Sequence, residues 1–113
     1  MRVTSSLWVG AHVRRCFVEG AFAAVVRRGA EEAGAIFVIV DRLGGTADLY
    51  GPAPQAMFDE SQPSERLFQL LAAEEPLDDV NARVESEVRF DPDLWVVAVE
   101  DRDGRAFLDA VRA

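Results

Sequence analysis

Apolar residues along this chain fall in short blocks separated by turn-forming stretches, and the spacing inside each block predicts what it becomes. Leu7 to Val13, rich in Val, Leu and Trp, reads as a first strand with Trp8 and Val9 on opposite faces. In Ala21 to Arg28 the spacing of Phe22, Val25 and Val26 fits one helical face, and Gly29 stands where a left-handed residue ends a helix. Ala35 to Val40 is an unbroken β-branched and aromatic run, too short for a typical helix, which predicts a strand buried on both faces at the sheet centre. The turn residues Asp41, Gly44 and Gly45 then lead into Thr46 to Tyr50, so the two runs predict an antiparallel hairpin. Pro52 and Pro54 end that strand or push its continuation to an edge, because proline cannot donate to a ladder.

The second half is read the same way. Asp59 to Ser64 is polar, contains Pro63 and reads as a surface loop. Glu65 to Ala73 fits two periods at once: Leu67, Leu70 and Leu71 suit a helix, Leu67, Gln69 and Leu71 a strand. Pro76 suits a first helical position, Asp78 and Asp79 suit the positive end of the helix dipole, and Leu77, Val80, Val84 and Val88 make one apolar stripe. Asp91-Pro92 ends that helix, since the residue before proline is disfavoured in the α region. Leu94 to Val99 predicts a second buried strand, and Asp101-Arg102-Asp103-Gly104 is a turn leading to Ala106 to Val111, a helix or a return strand. The sum is a single α+β domain over residues 1–113, with a mixed or antiparallel sheet and two to three helices packed on one of its faces. No internal repeat, low-complexity segment or linker interrupts it.

Composition narrows the chemistry. All twelve basic residues are arginine, so Schiff-base catalysis by lysine is excluded. A single histidine, His12, and a single cysteine, Cys16, exclude a Cys₄ or His₃ metal centre and any intramolecular disulfide. The net charge of −8 argues against nucleic acid, whose backbone is held by a basic footprint. No apolar run approaches the roughly 20 residues of a membrane span, and Ser5, Ser6, His12, Arg14 and Arg15 interrupt the region a secretory signal would need. The expectation is a cytoplasmic protein with no membrane contact, no metal and no cofactor.

Several segments together, Arg14-Arg15-Cys16, Arg27-Arg28-Gly29-Ala30, Ala33-Gly34-Ala35, Leu49-Tyr50-Gly51-Pro52 and Arg89-Phe90-Asp91-Pro92-Asp93-Leu94-Trp95, resemble a small alphaproteobacterial family, domain of unknown function 1491. The resemblance covers nearly the whole chain and is most specific from Arg89 to Gly104. It implies a compact bacterial domain and supplies no activity, substrate or catalytic residue.

Four residues remain as candidate ligand contacts. His12 and Cys16 are four apart and share a face, the beginning of a zinc site to which Asp91 or Asp93 would have to add carboxylates, or of a thiolate nucleophile steadied by Arg15. The bland alternative, a hydrogen-bonded histidine and a small buried thiol, is favoured. Arg14 and Arg15 follow the first predicted strand and precede a predicted helix, where the backbone N–H groups of Gly20 and Ala21 would help them hold an anion. The competing reading sends one arginine to solvent and the other to a carboxylate. Asp91, Asp93, Glu100, Asp101 and Asp103 make an acidic cluster if the strand between them returns beside its neighbour, and solvated turn residues otherwise.

Because so few catalytic groups are present, the leading expectation is a non-catalytic protein-interaction or regulatory module, a homodimer or adaptor, with an apolar surface patch around Trp8 or Tyr50. The alternative is a small anion-binding protein or minor enzyme built on Arg14, Arg15, His12 and Cys16.

Overall fold

The computed structural model describes residues 3–54, 66–109 and 111–112. The loop expected at Asp59 to Ser64 lies outside them. The first element is a helix, α1 (Ser5–Val18), where a strand was expected. Thr4 caps it, its hydroxyl accepting from the Leu7 N–H at 3.2 Å. Its buried residues are Ser5, Val9, His12 and Cys16, a helical spacing that hydrophobicity alone conceals because three of the four are polar or weakly apolar.

The second correction mirrors the first. Phe22, Val25 and Val26 do not form a buried helical face; they belong to an edge strand, β1 (Phe22–Arg27), and all three are exposed while Ala21 and Ala23 are buried. Tertiary pairing overrides local spacing here, since β1 is bonded to a buried central strand. Gly20, at φ +87°, makes the tight passage from α1 into it.

The expected central strand is β2 (Ile36–Asp41), which turns through Arg42 to Gly45 into the antiparallel β3 (Thr46–Pro52). The ambiguous segment resolves as a strand, β4 (Phe68–Pro76), antiparallel to β3 and running straight into α2 (Leu77–Phe90), whose stripe is as expected. Then come β5 (Trp95–Glu100), parallel to β2 from Ile36↔Trp95 to Asp41↔Glu100, and a two-residue β6 (Val111–Arg112) beside β4. Ala106 to Asp109 forms neither expected element. The mixed sheet has the order β1-β5-β2-β3-β4-β6.

The helices lie on opposite faces of this sheet, not on one. Ile36, Val38, Val40, Trp95, Val97 and Val99 pack with Val9 and Cys16 of α1, while Phe37, Ile39, Leu94 and Val96 pack with Val80 and Val84 of α2. Two central strands that are apolar at nearly every position need cover on both sides. The cover is staggered: α1 packs over β1 and β5, α2 over β2, β3 and β4. Beside α2, a groove of about 470 Å³ is left open, floored by Val26, Ile39, Val84, Val88 and Val96.

Candidate functional site

With α1 a helix, its side chains separate by depth. His12 and Cys16 face inward, with the Cys16 sulfur 3.8 Å from His12 Nε2. Nε2 donates to the Ala106 carbonyl at 2.9 Å, so it carries the proton in the neutral ring, and Nδ1 is buried without a partner. Trp8 stacks on the imidazole at 4.8 Å. Burial holds the His12 pKa below its ordinary value, the Ala106 hydrogen bond works against that, and nearby Arg15 adds to it. Burial pushes the Cys16 thiol up, with Arg15 only partly offsetting it. The pair thus favours its uncharged forms, the opposite of an activated thiolate.

Arg14 is exposed, and Arg15 pairs with Asp109 at 2.7 Å on the surface. Both lie in the last turns of α1 rather than before a helix N-terminus, because Gly20 and Ala21 lead into a strand. The backbone half of the expected anion cradle is therefore missing.

The acidic residues around β5 do not converge. Asp91 and Asp93 precede the strand, Glu100 ends it and Asp101 and Asp103 follow it, so the length of the strand holds the two groups roughly 17 Å apart. Asp101 is engaged by Arg105, through a 2.8 Å ion pair and the Arg105 backbone N–H at 2.7 Å, and this keeps its carboxyl below the usual range. Among the described residues no three His, Cys, Asp or Glu side chains are grouped to hold a metal ion.

One polar cluster was not anticipated. Asp48, on β3, is buried and accepts two hydrogen bonds from Arg42 Nε, one from Arg42 Nη2 at 2.8 Å and one from the Glu74 N–H at 2.7 Å. Glu74 sits at φ +47° where β4 bulges between Ala72 and Glu75. Every acceptor used here serves the fold: the carboxylate takes up a backbone donor that the bulge removes from the ladder.

The surface feature with no structural duty is apolar. Among the described residues eleven large apolar side chains are exposed, and five of them, Phe17, Val18, Phe22, Val25 and Val26, fall within ten positions at one sheet edge. Phe17 and Phe22 touch edge to face at 5.7 Å. Trp8 and Tyr50, where the patch was expected, are instead packed against the core. Sequence reasoning missed this strip because it assigned Phe22, Val25 and Val26 to a buried helical face. The absence of any charge from Phe22 to Val26 was the available signal.

The sequence pattern of a family described as a protein of unknown function, DUF1491, matches residues 3–109. The chain belongs to the DUF1491 family. A crystal structure of a DUF1491 family protein from Caulobacter crescentus is similar at 40% identity and TM-score 0.81, covering 100% of both chains. A solution structure of a protein from A. tumefaciens is 43% identical with TM-score 0.85, covering 100% of this chain and 98% of the other. No protein with a curated description matches. The DUF1491 relatives thus support the fold and bring no activity with them. Among the described residues no helix is long and apolar enough to cross a membrane.

Proposed function

We propose that this protein is a non-catalytic cytoplasmic interaction module that docks through the β1 edge. The observation that carries the reading is the concentration of Phe17, Val18, Phe22, Val25 and Val26 along one edge strand and the adjoining end of α1. Edge strands offer a row of free backbone donors and acceptors, and apolar side chains flanking that row suit strand addition by another protein. The chemistry of the remaining candidates supports it from the other side: His12 and Cys16 are buried and favour neutral forms, and Arg15 is already paired.

The test is a native mass spectrum of untagged protein isolated gently from its host, compared with Phe22→Lys and with Phe90→Lys. Phe90 is 88% exposed on α2 and controls for the loss of a surface aromatic. An assembly lost in the Phe22 variant and kept in the Phe90 variant supports the reading. An assembly equally present in both variants contradicts it.

A further inference from the structure

We infer that the occupant of this edge is a second copy of the chain, its β1 added antiparallel to the first about a two-fold axis near Ala24. The inference rests on the β1 reading above and commits it to one partner. Three features of the edge agree on this occupant.

The charges are self-complementary. Arg27 and Arg28 stand at the C-terminal end of β1, while Glu19 precedes its N-terminal end and Glu100 pairs with Phe22 on β5. Antiparallel pairing brings the basic end of each strand to the acidic end of the other, twice over. A parallel pairing would oppose arginine to arginine.

The apolar side chains also match themselves. A two-fold axis through Ala24 sets Phe22 of each copy across from Val26 of the other, the larger residue against the smaller. Val25 is exposed at the same edge, and Phe17 and Val18, beside the Phe22 end of β1, come to lie next to Val26 of the other copy. An isologous contact of this kind closes after two copies and cannot grow into a filament.

The backbone is regular over most of the stretch that pairs. Phe22 to Val25 keep an unbroken register with Glu100 to Val97, and the bulge falls only between Val25 and Arg27. Charges ordinarily deter edge pairing, and Phe22 to Val26 carry none; the one bulge, at Val26, falls at the end of the paired stretch.

Purified protein, with no host component added, is examined by sedimentation over a concentration series, alone and as Phe22→Lys, Phe90→Lys and Ala24→Cys. The expected result is a species of twice the 12.4 kDa chain mass, weakened at least about tenfold by Phe22→Lys and unchanged by Phe90→Lys. The Ala24→Cys variant should cross-link into a covalent dimer through its introduced thiols under mild oxidation. Purified wild type that stays monomeric throughout overturns the inference. If the host-derived assembly still depends on Phe22 in that case, the interaction reading survives and only the partner is wrong. A dimer indifferent to Phe22→Lys overturns the inference and leaves the β1 edge without a role.

Discussion

The two edges of the sheet are built on opposite rules. At the β4 end the strand bulges twice against β3, carries exposed Glu74 and Glu75, finishes in Pro76 and is partly covered by β6. Those are the devices by which proteins keep strangers off an unpaired strand. At the β1 end the corresponding positions are Phe22, Ala24, Val25 and Val26, with no charge among them and, among the described residues, no strand beyond. The edge proposed for docking is the one left without charge or proline, its single bulge lying at Val26 near the end of β1.

The contrast predicts that the guarded edge is costly to alter and the open edge cheap. The largest effect should come from Asp48→Ala, which strands a part-buried Arg42 and frees the Glu74 N–H within the bulge. Urea denaturation should register a loss of about 3 kcal/mol. A loss within experimental error would mean that the bulge holds itself without its carboxylate. Gly104→Ala should cost less, about 2 kcal/mol, because φ +77° disfavours any side chain and a Cβ there meets the Arg42 guanidinium. The measurement is the same, and a neutral result would show that Arg42 swings clear.

A smaller, pH-dependent effect belongs to the β1 side, where His12 lies on the inward face of α1. Its folded pKa lies below the ordinary value near 6.5, so the unfolded chain binds the proton more readily. Stability is therefore full above that value and falls as pH drops below it, by at most about 1.4 kcal/mol per pH unit. Chemical denaturation between neutral and mildly acidic pH should show this slope reduced in His12→Gln, and an unaltered slope would assign it to other groups. Least affected is the open edge itself: in dilute, monomeric protein Phe22→Lys should shift unfolding by no more than about 0.5 kcal/mol. A large loss would mean that Phe22 serves the core.

Where sequence reasoning succeeded and failed follows the same division. β2, β3, α2 and β5 were legible because burial determines them: β2 and β5 are apolar on both faces, and α2 shows its stripe of Leu77, Val80, Val84 and Val88 plainly. α1 and β1 were exchanged because both depart from that rule. The inward face of α1 includes Ser5, His12 and Cys16, which bond to Gly34, Ala106 and each other, so its periodicity is written partly in polar residues. The apolar residues of β1 mark an exposed edge, and periodicity read as burial turned them into a helix. Of the candidate residues, the pairing of His12 with Cys16 was legible from their spacing. The depth separating that pair from Arg14 and Arg15 was not, because it depends on α1 lying flat on the sheet.

The most direct measurement is backbone hydrogen exchange at Phe22 to Val25 and at the β4 edge, followed as protein concentration rises. Protection that grows with concentration in β1 while β4 stays constant is the predicted result. Exchange at β1 that is independent of concentration would contradict the account, and the apolar edge would then need another explanation.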